Sequence, residues 1–370
     1  MLKSTYQFPK LPPSVDLESI EVLRALAKAN RALAELKGRA AVIPNQEILI
    51  DTLTLQEAKA SSHIENIVTT HDELFQADLF PGASGSANEK AVTRYRDAIR
   101  VGRLQLRANQ GLLTTNLLIH LFQILKRRDD GFRTQPGTAQ KNDHTGEIVY
   151  VPPQDPGVIS GLMEELEFFM NEDSASQLDP LIKMALIHHQ FESIHPFPDG
   201  NGRIGRILNV LYITRTGLLD IPILYLSRYI IHHKNDYYRR LQSVRDTNGS
   251  EAAWQDWVRF MLDAVADTAA MTLTLVEGIR TQMTSAKQRM RGELPKLYSQ
   301  ELLNNLFRHP YTKIEFVVQD VGVTRQTAAK YLDTLSDHGL LRKHKSGRVN
   351  YYVNADLVSL LMNATPDQLQ

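Results

Sequence analysis

The run HPFPDGNGRIGR, from His195 to Arg206, sets a base, a carboxylate, a glycine-rich turn and two arginines within one short stretch. Such a set suits a nucleoside triphosphate, part of which is to be moved onto a hydroxyl. His195 brings an imidazole, whose ordinary pKa lies near neutrality, as a general base requires. Asp199 brings a carboxylate able to hold Mg²⁺, an ion that takes one or two carboxylates together with phosphate oxygens. Gly200 and Gly202 allow a sharp turn and a close approach of backbone to phosphate. Arg203 and Arg206 present guanidinium forks that bind phosphate oxygens bidentately. Taken singly, Asp199 and Asn201 also read as helix caps and His195 as a structural histidine. The full set in register is what points to chemistry.

These residues need a scaffold. Leu181, Met184, Ala185, His188 and Phe191 recur at helical spacing before the run, and Ile204, Ile207, Leu208 and Leu211 do so after it. The run therefore reads as a loop between two amphipathic helices. It enters the N-terminus of the second, where unpaired N–H groups and a partial positive charge attract anions. Phe197 is apolar and is expected to anchor the loop in the core.

HPFPDGNGRIGR resembles the signature of the Fic family, H-P-F-x-D/E-G-N-G-R-x-x-R, at every fixed position. The resemblance implies a mainly α fold: a Fic-type helical core with a β-hairpin flap. It also implies transfer of AMP from ATP to a Ser, Thr or Tyr hydroxyl of a target protein. On that basis His195 deprotonates the hydroxyl and Asp199 carries Mg²⁺ (or Mn²⁺) at the α- and β-phosphates. Asn201 and the backbone N–H groups of Gly200 and Gly202 cradle the α-phosphate. Arg203 binds the β-phosphate region and Arg206 the γ-phosphate.

Upstream, Ser61 to Asn66 matches the family's inhibitory pattern S/T-x-x-x-E-G/N, with Ser61 and Glu65 on one helical face. By resemblance, Glu65 pairs with Arg206 and removes the γ-phosphate anchor. The same glutamate implies a reverse reaction, removal of AMP by water, in part of the family. Between the two motifs, Gly131, Phe132 and Arg133 precede a polar stretch, Lys141 to Gly146. Then come Ile148 to Val151 and two prolines, which together read as a hairpin. In the family this is the flap, along which an extended target segment pairs. Tyr238 is the expected neighbour of the adenine. Pairing of two copies is also expected of the family.

The last part of the chain reads differently. Thr324 is placed to cap a helix from Arg325 to Leu335, preceded by Ile314, Phe316, Val317 and Val321. A basic turn, Arg342 to Arg348, and Val349 to Val353 follow as a β-hairpin. Helix–turn–helix plus hairpin resembles a winged helix. Between Gly322 and Asn350 six Lys and Arg stand against two Asp. Such a face is read either as a DNA contact or as a surface for docking or dimerisation.

With 370 residues, 42% hydrophobic and 23% charged, the chain is long enough for two or three globular domains. The expected division is 1–100, an N-terminal helical region with the inhibitory helix; 101–285, the catalytic domain; and 293–370, the winged helix. Within the first, Ile20, Leu23, Leu26 and Ala27 are expected to face inward. The stretch from Lys287 to Pro295 is expected to be a linker or a helix exit. Lys plus Arg and Asp plus Glu number 42 each, so net charge points to no partner. The absence of cysteine excludes disulfides and cysteine chemistry. Met1 to Ser14 lacks an apolar core, and no run approaches a membrane span, so a cytoplasmic protein is expected. Three functional readings stand. One is an autoinhibited protein adenylyltransferase. Another is a winged-helix DNA-binding regulator using the Fic-like core as a nucleotide sensor. The third is a Fic enzyme moving another phosphate-containing group. The complete set from His195 to Arg206 favours the first, because a sensor has no need of the base.

Overall fold

The computed structural model describes residues 6–70, 73–74, 86–141, 145–346 and 349–363. As expected, the chain is mainly helical. In order come α1 (Ile20–Ala40), α2 (Glu47–Ile64), α3 (Ala87–Ala108) and α4 (Thr115–Lys126). A short antiparallel pair follows, β1 (Gln140–Lys141) and β2 (Ile148–Tyr150). Then come α5 (Pro156–Asn171), α6 (Pro180–Ile194), α7 (Asn201–Arg215), α8 (Ser227–His232), α9 (Lys234–Asp246) and α10 (Glu251–Glu293). The C-terminal elements are α11 (Gln300–Arg308), β3 (Tyr311–Thr312), α12 (Ile314–Val321), α13 (Arg325–Asp337), β4 (Arg342–Ser346), β5 (Val349–Val353) and α14 (Ala355–Asn363). Among the described residues no helix is long and apolar enough to cross a membrane.

The chain forms two compact units, one from residues up to 34, 57–67 and 94–269, the other from 35–56, 68–93 and 270 onward. The first is built around α6 and α7. Asp179 accepts from Leu181 N and Pro180 opens α6, so the helix starts with a capped first turn. Every residue of α6 from Leu181 to Ile194 is buried, and α7 is buried from Ile204 to Ile213. This corrects the expectation of two amphipathic helices. A helix enclosed on all sides by other helices carries apolar or paired polar groups all round. His188 shows how: its Nε2 meets Tyr237 Oη at 2.8 Å and its Nδ1 meets Asn209 Nδ2 at 3.1 Å.

The second unit ends in a three-stranded sheet of order β3-β5-β4, with α12 and α13 packed together. This is the element order of a winged helix. Gly322, at φ +73°, closes α12, and Thr324 Oγ1 accepts from Thr327 N to open α13, the cap expected from the sequence. Val317, Ala328, Leu332, Leu335 and Tyr352 form its core.

Other expectations need correction. In α1 the buried positions are Val22, Ala25, Ala29, Leu33, Leu36 and Ala40, whereas Leu26 is half-buried, Ile20 and Leu23 are 66% and 45% exposed and Ala27 is also exposed. The apolar residues of this helix outnumber one face, so spacing alone permits two stripes. Lys287 to Glu293 is no linker but the last turns of α10, with the helix exit at Leu294. The basic residues Arg342 to Lys345 lie on the edge strand β4 rather than in a turn; Gly347 and Arg348 lie outside the described residues. The flap hairpin forms as expected, with Asn142 to His144 outside the description.

Candidate active site

The loop between α6 and α7 is held from several sides. His195 caps α6 at φ +50°, its N–H reaching Phe191 O at 2.9 Å. Arg133 straps the next residues: its N donates to Pro196 O and its Nε to His195 O, both at 2.8 Å. Arg133 also bonds the Pro153 carbonyl, tying in the far end of the flap. Phe197 is buried as expected, stacked on Phe122 with ring centroids 4.5 Å apart. Gly200 opens α7 at φ +81°, a left-handed conformation in which a side chain is strained. The Asn201 side chain is spent inside the loop, accepting from Phe197 N and donating to Phe197 O, each at 2.8 Å. It braces the turn at the start of the helix, where the Gly200 backbone also bonds the Asp199 carboxylate.

A cleft of about 900 Å³ opens above this loop. Its wall includes Glu65, His195, Asp199, Gly200, Asn201, Gly202, Arg206 and Tyr238, so nearly all the residues singled out in the sequence converge. Ser61 and Arg203 are buried beside it. Arg206 is 3% exposed at its side chain and engaged three times by the end of α2 and the turn that follows it. Its Nε donates to Ser61 Oγ at 2.8 Å, and its Nη2 donates to Ser61 O and Glu65 Oε1, both at 3.0 Å. Glu65 Oε2 also lies 2.9 Å from Arg203 Nε, an ion pair without hydrogen-bond alignment. One carboxylate thus holds both arginines. Gly202 is packed under them: a Cβ there would come within 3.0 Å of Arg206 Nη1 and Glu65 Oε1.

Electrostatics sort the titratable groups. Burial, then Arg245 and Arg133, push the His195 imidazole down to about 3, so it is neutral at ordinary pH. Burial pushes Glu192, which also lines the cleft, up to about 7 against the pull of Arg206 and Arg245. Asp199 is held below the usual carboxylate range: burial opposes this, but the Lys126 ammonium bonded to it, with Arg203, prevails. Among the described residues no three acidic or histidine groups cluster to hold a metal. Asp199 alone fits Mg²⁺ only where phosphate oxygens complete the shell, with Lys126 as the competing cation.

Several residues here went unmarked in the sequence. Lys126 carries no local signal. Gln140, which meets His195, and Arg245, which meets Gln140, are separated by 105 residues. Glu57, buried in α2 and bonded by Tyr95 and Ser227, reads in sequence as an ordinary surface glutamate.

Three family profiles match the chain: Fic/DOC family N-terminal over residues 23–103, Fic/DOC family over 112–213, and the C-terminal domain of protein adenylyltransferase SoFic-like over 282–357. A probable protein adenylyltransferase of Aquifex aeolicus is 28% identical over 187 residues, 50% of this chain and 55% of that protein. The protein adenylyltransferase Fic of Drosophila yakuba is 31% identical over 134 residues, 36% of this chain and 25% of that protein. The chain thus spans about half of one of these relatives and a quarter of the other. Two solved structures share the fold. A Fic family protein from Desulfovibrio desulfuricans has TM-score 0.55 at 18% identity, covering 94% of this chain and 98% of that one. A fragment of Fic-1 from C. elegans has TM-score 0.54 at 19% identity, covering 71% and 74%. With the signature loop, its helical core and the C-terminal domain all matched, the chain is a member of the Fic/DOC family.

Proposed function

We propose that this chain is a protein adenylyltransferase, moving AMP from ATP to a Ser, Thr or Tyr hydroxyl of a target protein or of itself, and held off by Glu65. The observation that carries this is the engagement of Arg206 by Glu65 and Ser61 in the cleft that also holds His195. A bare binding protein has no use for a base beside a covered phosphate anchor. Its adenylyltransferase relatives supply the group transferred.

In this reading His195 takes the hydroxyl proton. The oxygen then bonds to the α-phosphorus, the bond from that phosphorus to the β-phosphate oxygen breaks, and pyrophosphate leaves with the electron pair. Phosphoryl-type transfer of this kind rests on positioning and charge stabilisation. Backbone N–H groups from Gly200 to Gly202, on a loop stiffened by Asn201, cradle the α-phosphate. Arg203 serves the β-phosphate region and Arg206, once released, the γ-phosphate. Tyr238, on the cleft wall, borders the adenine. Asp199 would hold Mg²⁺ or Mn²⁺, which when bound neutralises phosphate charge. The target strand pairs along the flap, and water removes AMP while Glu65 is engaged. Two copies pair in solution. The division into 1–100, 101–285 and 293–370 assigns the last part to a winged helix. Arg325 pairs with Glu315 and Lys343 with Asp333 inside it, which favours protein docking over a DNA phosphate face.

Incubation of the full chain with α-labelled ATP and Mg²⁺ tests the proposal. Label should appear on protein, and His195→Ala should slow it by about 10²–10⁴, the usual worth of a general base. ATP binding with no label in any variant would sink the enzyme reading. Glu65→Gly frees both arginines. If the open state is about 1% populated, transfer should rise up to about a hundredfold. Equal or lower transfer in that variant counts against autoinhibition.

A further inference from the structure

Gln140 and Arg245, from separate elements, form a chain of contacts that ends on His195. Gln140 of β1 lies with its Nε2 3.0 Å from His195 Nδ1, and its Oε1 accepts from Arg245 Nη1 at 3.0 Å. Arg245, buried in α9, is fixed on other sides too. Its Nε donates to Ser193 Oγ at 3.0 Å, and its guanidinium sits 3.9 Å from the centroid of the Tyr150 ring.

Donor and acceptor chemistry then determines where a proton sits. A guanidinium has only donors, so the Gln140 oxygen must face Arg245 and the amide N–H₂ must face the imidazole. That N–H₂ also has only donors. Its bond to Nδ1 requires a bare lone pair there, which leaves the single proton of the neutral ring on Nε2. The Arg245 charge polarises the amide and strengthens its donation. The backbone of Glu192 also hydrogen-bonds the ring.

We propose that Gln140, oriented by Arg245, masks the proton-accepting nitrogen of His195 and must let go before the histidine can take a hydroxyl proton. This rests on the reading of His195 as general base. A hydroxyl reaching Nδ1 must displace the amide, and a shift of the lone pair to Nε2 puts a proton where the amide N–H₂ points. Either route breaks the same hydrogen bond. Gln140 is a positioning residue, and its place on a flap strand gives a docking segment a means to move it.

Long-range ¹H–¹⁵N correlation of the full chain labelled with ¹⁵N-histidine, without nucleotide or target, reads the tautomer; loss of one pattern in His195→Gln assigns it. The parent protein should show bare Nδ1 and protonated Nε2. Gln140→Ala removes the donor that keeps Nδ1 bare and should let the proton populate Nδ1. Gln140→Glu should do the same, because a carboxylate accepts where the amide donates. A parent with protonated Nδ1, or the parental pattern kept in either variant, would overturn the proposal. The readout needs no turnover, so absence of label transfer would defeat the adenylyltransferase reading and leave this result standing.

Discussion

His195 illustrates how neighbours redefine a residue. In the sequence it is a group that titrates near neutrality. In the fold, burial and two guanidinium groups push it down to about 3. A lowered pKa means that the inactive protonated form appears only in strong acid. Across about pH 5–8, where an ordinary histidine changes charge, the imidazole is already able to accept a proton. The dependence of kcat/KM on pH should therefore lack an acid limb centred near histidine's ordinary value of about 6.5. A limb there, measured with Glu65→Gly to remove the lock, would contradict the electrostatics described. Asn201 teaches a related point. Its side chain works on the loop that presents the phosphate cradle, at one remove from a phosphate.

At the level of elements, the loop depends on a small aromatic cluster. Phe197 is fully buried against Phe122, Phe132 and Phe191, and Arg133 straps the residues before it. Truncating a buried phenylalanine typically costs about 3–5 kcal/mol. Phe197→Ala should lower unfolding free energy by that order in chemical denaturation and weaken nucleotide binding with it. A loss well under about 1 kcal/mol would mean that the loop is anchored elsewhere. Ser61 in the last turn of α2 and Glu65 in the turn just beyond its end reach Arg206 together. Lys234 Nζ donates to Ile64 O at 2.9 Å, which ties down the end of that helix and favours its dipole.

The whole molecule carries a stability signature of its buried acids. Glu57 joins α2, α3 and α8 through Tyr95 and Ser227, and burial, against those hydrogen bonds, raises it to about 7. A raised carboxyl is protonated in the folded chain where the unfolded chain is already ionised. Its contribution is complete below the unfolded value and is lost as pH rises through about 7. Glu57→Gln mimics the protonated form. Its Tm relative to the parent should improve as pH rises from about 5 to 8. A difference independent of pH would place the Glu57 carboxylate in the ionised state throughout. Buried histidines such as His188, pushed down to about 3 by burial, act in the opposite sense, so the comparison of variant with parent isolates the acid.

Read alone, the sequence determined what is local. Cap residues, glycines that accept positive φ and the register of the signature depend on neighbours a few positions away. The Thr324 cap, the turn at Gly200 and the flap hairpin were all legible for that reason. The buried face of α1 was not, because its apolar residues allow two stripes and only packing selects one. Nor was the full burial of α6 and α7, since periodicity cannot tell a helix with one wet face from one enclosed on all sides. Lys126 on Asp199, Gln140 between Arg245 and His195, and the neutral state of the imidazole belong wholly to the tertiary structure. Desolvation and hydrogen-bond direction arise only when residues far apart in the chain share one low-dielectric site.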